Sequence, residues 1–465
     1  MSNSVDFPAD PLGGMTLAEF GPRLRQGAVT IESVTEAYLA RIERIDPRLG
    51  AYEFVATEAA LKQAKALDQL LAAGTDLGPL MGIPVAVKDV FAVTGMPTRV
   101  GSRLDVADLI GKEGPFVKQL KRAGCIILGK TKTVEFAYGA AGINTVRGTP
   151  WNPWDRTVHR VPGGSSSGSA VAVAASLCAF ATGTDTGGSV RLPASFCGVF
   201  GLKTTAGLWP GDGMLPLSPA LDSIGLLTRS AADASLAFAA LTDRRLPDSV
   251  SFRGQRLGRL VGYFEERLDT SVSGSYEVIV DLLRKSGADI VDIEMPEARE
   301  RETIFPNLLP VELLATLSQD RFAAGRDRMD AVVAARIERG LGTAATDYVR
   351  SLRRHEDLKR IAAERMKGFD AWIMPTTSRL AIPTGEFNDI KTSAELAFDI
   401  ARNTQSANLF GQCATSSPIQ ARAEALPVGF QIVCNAFDEN TLMALALALE
   451  HLTGMPPKPD LSWVA

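Results

Sequence analysis

Histidine is nearly missing from this chain, with three in 465 residues, and there are only five cysteines. The cysteines, Cys125, Cys178, Cys197, Cys413 and Cys434, sit in apolar runs or beside small residues. They form no C-x-x-C pair and no Cys/His spacing suited to zinc, so a zinc site and a disulfide framework are both excluded. Buried, reduced thiols are expected. Basic residues are not in excess: 49 Lys and Arg stand against 53 Asp and Glu, which speaks against nucleic acid or an anionic membrane as partner. No apolar run approaches the ~18 residues of a spanning helix. The first residues, MSNSVDFPADPLGG, have neither a basic start nor an apolar core, so they do not read as a signal peptide. A cytoplasmic protein is expected, with residues 1–14 as a polar leader and 15–465 as one domain.

What is present is apolar residue, 46% of the chain, enough to bury a sizeable core. Thr16-Leu17-Ala18-Glu19 is a capping box opening a first helix; further helices are expected over 31–45 and 59–73. Residues 82–88 then form a short apolar run typical of a buried strand. Helix 115–123 and strand 125–128 follow, and 257–264, 276–285 and 289–293 repeat the alternation. Strands at 371–374 and 428–434 and a helix at 441–452 close the chain. Helix alternating with buried strand indicates an α/β fold with a largely parallel or mixed sheet. Residues 311–367 are helical and charge-rich, which reads as solvated helix surface.

Two Gly/Ser turns organise the centre: Gly163-Gly164-Ser165-Ser166-Ser167-Gly168 and Gly183-Thr184-Asp185-Thr186-Gly187-Gly188-Ser189. Between them, 169–179 reads as a helix of about 18 Å and 180–184 as a strand of about 17 Å. The two lengths nearly cancel, which places Ser165 beside Ser189 at one sheet edge. Gly187 and Gly188 can expose successive N–H groups toward an oxyanion just before the Ser189 hydroxyl. The plain alternative is a tight turn with Ser189 as a polar cap. Lys88 ends an apolar run; desolvation would make it a neutral amine and so a general base, unless it lies exposed beyond the strand. Ser165 can pass a proton between an amine and a hydroxyl, or belong to a flexible loop.

Competing motifs fail. Gly164-Ser165-Ser166-Ser167-Gly168 matches G-x-S-x-G, with Ser166 as nucleophile, but the downstream histidines are His355, in a charged helix, and His451, near a helix end. Asp185-Thr186-Gly187 lacks the second half-site of an aspartic protease. The 163–168 loop lacks G-K-[ST], and S-x-x-K is absent.

The two turns, with Val190-Arg191, Pro193-Ala194 and Cys197-Gly198-Val199, resemble the amidase signature. Gly82-Ile83-Pro84-Val85-Ala86-Val87-Lys88-Asp89 is similar to that family's lysine segment, and Leu426-Pro427-Val428-Gly429-Phe430-Gln431 to its C-terminal motif. The resemblance runs over about 15–455. It implies a large mixed, twisted central sheet covered by helices on both faces. It implies Ser189 as acyl-forming nucleophile, Ser165 as a bridging serine entered through a cis peptide, and Lys88 as base. It further implies an oxyanion hole from the N–H groups around Thr186, Gly187, Gly188 and Ser189, with Asp185 and Arg191 as supporting residues. No metal or organic cofactor has a part in that chemistry. The implied activity is hydrolysis of a linear carbon–nitrogen bond in a small aryl or alkyl amide or a carbamate. The alternative is the A component of a glutamine-dependent tRNA amidotransferase assembly. A homodimer is left open. Thr204 and 412–415 depart from the family pattern, which touches pocket shape. Specificity is expected from 134–150 and from a variable helical region at about 300–415.

Overall fold

A computed structural model describes residues 8–419 and 425–464. Eleven strands form one sheet: β1 (Tyr52–Val55), β2 (Pro84–Lys88), β3 (Ile126–Thr131), β4 (Phe180–Asp185), β5 (Phe200–Lys203), β6 (Ser223–Thr228), β7 (Arg256–Leu260), β8 (Asp289–Ile293), β9 (Ala371–Pro375), β10 (Cys413–Pro418) and β11 (Gly429–Cys434). Their order is β1-β3-β2-β4-β6-β5-β10-β11-β9-β7-β8. The sheet is mixed. Strand β2 lies parallel to both β3 and β4, while β4 runs antiparallel to β6. The middle strands β2 to β6 and β9 to β11 are almost wholly buried, which is why they read as continuous apolar or small-residue runs rather than alternating ones. The core cluster runs from Leu12 to Val464.

The Thr16 capping box is formed, and the helix it opens is Leu17–Arg25. Of the expected leader, residues 1–7 lie outside the described residues. Leu12 is buried, and Asp10 pairs with Arg229 and Lys458, so 8–14 is tied to the body. All five cysteines are free thiols and buried.

Several boundaries differ from expectation: the helix expected over 31–45 runs to Leu49, that over 276–285 begins at Thr270, and 257–264 is strand only to Leu260; two further differences have a plain physical reason. Strand β3 continues past Leu128 through Gly129-Lys130-Thr131, because Lys130 Nζ donates to Asp89 Oδ1 at 2.8 Å with both side chains fully buried. The central helix is Ser167–Ala174, not 169–179. Its eight residues span about 12 Å, while the six of β4 span about 20 Å. The lengths therefore do not cancel by themselves. A turn over 175–179 makes up the difference, with Ser176 at φ 53° and the Leu177 N–H donating to the Ala172 carbonyl at 2.7 Å.

Gly129 sits where the β2–β3 register slips, and a Cβ there would lie 2.1 Å from the Phe54 carbonyl oxygen of β1. Gly129→Ala should push β1 outward and cost about 1–3 kcal/mol, read as a lower urea midpoint with an unchanged slope.

Candidate active site

Strands β2 and β4 are parallel neighbours, so Lys88 and Asp185 emerge at the same sheet edge. This is where open α/β sheets bind ligands. Lys88 is fully buried. Its Nζ donates to Ser165 Oγ at 2.8 Å and to Thr184 Oγ1 at 2.7 Å. Burial pulls the ammonium down to about 7, against the opposing charges of Asp222 and Asp185.

The turn carrying Ser165 is packed too tightly for side chains. A Cβ on Gly163 would lie 2.6 Å from Pro193 Cα, and one on Gly164 2.6 Å from the Gly139 carbonyl oxygen. The peptide from Gly164 to Ser165 is cis. The Ser165 carbonyl accepts from Val134 N–H at 3.2 Å and Thr133 Oγ1 at 3.0 Å. The Ser166 N–H donates to the Ser189 carbonyl at 3.2 Å, so the two turns do meet. No hydrogen bond among the described residues joins Ser165 Oγ to Ser189 Oγ. Ser166 itself is fully buried and its hydroxyl donates to the Thr184 carbonyl at 3.4 Å, away from solvent.

Asp185 organises the second turn. Its carboxylate accepts from Gly188 N–H (2.8 Å), Val190 N–H (3.1 Å), Arg191 Nη2 (2.9 Å) and Asn408 Nδ2 (2.9 Å). Burial opposes ionisation, but the charge and hydrogen bonds of Arg191, with Lys203 and Asn408, hold the carboxyl well below its usual range. Arg191 in turn donates to Gln431 Oε1 at 2.7 Å and to the Thr404 carbonyl at 2.8 Å. Gly188 therefore departs from the expected oxyanion set: its N–H is committed to Asp185, and its φ of +118° is what it supplies. The N–H groups of Thr186, Gly187 and Ser189 make no hydrogen bond among the described residues. Thr186 Oγ1 donates to Asp222, whose other oxygen accepts from Leu217 N–H at 2.9 Å and Ser218 N–H at 3.1 Å. Burial pushes Asp222 up to about 6.

Thr186, Gly187 and Ser189 open on a cavity of about 280 Å³. Ala137 to Ala140 form one side, and Phe305, Leu309, Arg336, Ala397, Phe398 and Gln405 the others. Ser189, at 8% exposure, reaches it; Lys88 and Ser165, at 0%, lie behind. The structure thus brings a buried amine, a buried hydroxyl and a serine that lines the cavity to one edge.

The chain matches the family model described as Amidase over residues 33–443. It belongs to the amidase family. It is 38% identical over 449 residues to a 2-amino-5-chloromuconic acid deaminase of Comamonas testosteroni, covering 95% of this chain and 96% of that one. It is 36% identical over 481 residues to the A component of the glutamyl-tRNA(Gln) amidotransferase of Methylobacillus flagellatus, covering 94% and 97%. The peptide amidase of Stenotrophomonas maltophilia superposes with a TM-score of 0.81 at 28% identity, covering 97% and 99%. This amidase is accordingly a hydrolytic enzyme of amide carbon–nitrogen bonds, built on the mixed sheet the motifs implied.

Sequence reasoning does not find Thr184, Asp222 or Asn408. Thr184 stands inside the second Gly/Ser motif, where it reads as strand. Asp222 directly precedes β6, which carries no alternation. Asn408 lies in the helix Arg402–Leu409, whose polar sequence RNTQSANL suggests surface although all eight residues are buried. His355, which the sequence gives no catalytic placement, is buried, and its ring Nε2 lies 3.2 Å from the Asn408 carbonyl oxygen. Burial pulls its imidazole down to about 4, so it supports that helix as a neutral donor. Among the described residues, no helix is long and apolar enough to cross a membrane.

Arg191→Met would strand the buried Asp185 carboxylate. The expected loss is about 3–5 kcal/mol of stability, measured by urea unfolding, with Arg191→Lys intermediate.

Proposed function

We propose that this amidase hydrolyses a linear amide through an acyl-enzyme on Ser189, with Ser165 as proton carrier and Lys88 as base. The observation that carries this reading is the dry 2.8 Å contact of Lys88 Nζ with Ser165 Oγ, directly behind the serine that faces the cavity. A lysine pulled down to about 7 has an uncharged fraction at neutral pH, and its lone pair can accept the Ser165 hydroxyl proton. Ser165 Oγ would take the Ser189 proton as Ser189 Oγ bonds to the carbonyl carbon. This step needs Ser189 to rotate toward Ser165, since the two hydroxyls share no hydrogen bond at rest. The N–H groups of Thr186, Gly187 and Ser189 are free to receive the oxyanion. The proton then returns along the same path to the leaving nitrogen as the carbon–nitrogen bond breaks. Water repeats the relay to release the acid. Aryl amides, alkyl amides and carbamates are the substrate classes to test.

A second reading is the A component of a glutamine-dependent tRNA amidotransferase assembly, favoured by the near full-length match to such a protein. Glutaminase activity that appears only when a partner is added would support it, and amide hydrolysis by the lone chain would count against it.

Ser189→Ala should abolish acyl-enzyme formation, and a fluorophosphonate should label Ser189. Label on Ser166 instead would refute the assignment. Lys88→Ala should cost at least three orders of magnitude in kcat. Because the base must be uncharged, kcat/KM should rise with pH through about 7 and then level. The Asp222 charge raises the Lys88 pKa, so Asp222→Asn should move that limb to lower pH; an unmoved limb would assign it to another group.

A further inference from the structure

The cavity wall facing Ser189 includes the helix Ala331–Glu338 and the turn after it, which carry Arg336 and Arg339. Arg336 is half-buried. Its Nη1 donates to the Tyr138 carbonyl at 3.0 Å, and its guanidinium stands 5.7 Å from the Tyr138 ring centroid. These contacts fix the fork and leave N–H donors over, since a guanidinium has five. Neither arginine makes an ion pair among the described residues.

The nearby acids are occupied elsewhere or stand apart. Asp330, which caps the helix, accepts from Thr145 and from the N–H groups of Val332 and Val333. Glu135 accepts from Ser102 Oγ and from the Asp330 N–H, both at 2.6 Å. Glu338 pairs with Arg326. Glu302 and Glu395 line the same cavity but are exposed and pair with neither arginine. Two like charges therefore sit three residues apart over a space whose apolar lining includes Leu192, Leu217, Phe305, Leu309 and Phe398. Burial, and less strongly the neighbouring Arg339, disfavour the Arg336 charge, and Tyr138 and the Asp330 carboxylate only partly oppose them; an arginine does not give its charge up. An unpaired, partly desolvated guanidinium is costly until an anion arrives.

We propose that the substrate is an amide that also carries a carboxylate, on its acyl or its amine part, and that Arg336 is the residue that reads it, as a bidentate donor. The inference rests on Ser189 as the reacting centre of the same cavity. The match of a planar fork to a carboxylate sets Arg336 apart from a mere positive patch.

The test uses the full chain with Ser189→Ala, so that binding is measured without turnover. Calorimetry compares two matched pairs: succinic mono-4-nitroanilide with butyric 4-nitroanilide, and 4-acetamidobenzoate with acetanilide. At least one acid should bind tenfold or more tighter than its neutral partner. Arg336→Gln on that background should cost the acid at least tenfold more affinity than the neutral compound, and Arg336→Lys should recover part of it. With Ser189 intact, the same loss should fall on KM rather than kcat. No preference for either acid, or equal losses for acid and neutral compound, overturns the proposal. If acid binding depends on Arg336 but no amide is turned over, the hydrolytic reading fails and this one stands. Hydrolysis of neutral amides with no effect of Arg336 on affinity has the opposite meaning.

Discussion

The site is held in shape by one fully buried carboxylate. Asp185 is shut off from solvent, so its charge persists only if protein donors surround both oxygens. Those donors are the N–H groups of Gly188 and Val190, the Arg191 fork and the Asn408 amide. The first two belong to the turn that bears Ser189, so satisfying the charge and shaping that turn are the same event. Asn408 and Arg191 extend this outward, to the helix Arg402–Leu409, to Thr404 and to Gln431 on β11. An element more than two hundred residues away in sequence thus sets the turn's geometry. Thr404 adds a direct clasp, its hydroxyl donating to the Gly187 carbonyl at 3.0 Å.

Lys88 shows the opposite solution to the same desolvation. Among the described residues no carboxylate pairs with its amine, which donates to two hydroxyls, and burial lowers its pKa. The contrast with Lys130, on the neighbouring strand β3, is instructive. That lysine is equally buried but sits 2.8 Å from Asp89, which makes it a structural ion pair. Burial lowers both lysines, but the partners differ: a carboxylate ties up the Lys130 charge, whereas hydroxyls leave the Lys88 amine free to exchange a proton.

This explains what could be read from the chain before its coordinates. Lys88, Ser165 and Ser189 lie in short, locally distinctive stretches, Gly-rich turns or the charged end of an apolar run, so local chemistry singled them out, whereas Asp185 and Arg191 entered only through the resemblance to the amidase signature. Strands β1, β5, β6 and β10 escape such a reading. β5, β6 and β10 are four to six residues long, interrupted by Gly, Ser or Thr, and almost wholly buried, while β1 is four residues at the sheet edge and only half-buried, so neither alternation nor a long apolar run marks them. Asn408 and its helix escape for a different reason. Polar side chains in RNTQSANL report water when read alone, yet here they meet buried partners: Asn403 Nδ2 donates to the Pro375 and Phe264 carbonyls, and Ser406 Oγ to the Asn403 carbonyl. Polar residues that satisfy one another across the fold are invisible to any local pattern.

The two halves of the cavity are built by different rules, and this has a consequence for how specificity can vary. The Ser189 side is backbone-dense, with glycines whose added Cβ atoms would strike neighbouring backbone or side-chain atoms: Gly163 against Pro193, Gly164 against Gly139, Gly188 against Thr404. Nothing there can change without moving the turns. The opposite wall consists of side chains projecting from helices, among them Phe305, Leu309, Arg336, Ala397 and Phe398, whose backbones are secured elsewhere. Glu135 and Asp330 are an example, fastening the helix of Arg336 to the 134–145 segment through hydrogen bonds between residues that do not line the cavity. A substitution on that wall alters what fits or what charge is matched, while the hydrogen bonds that shape the Ser189 turn are untouched. Chemistry and selectivity are thus separable in this fold because they rest on separate sets of backbone constraints.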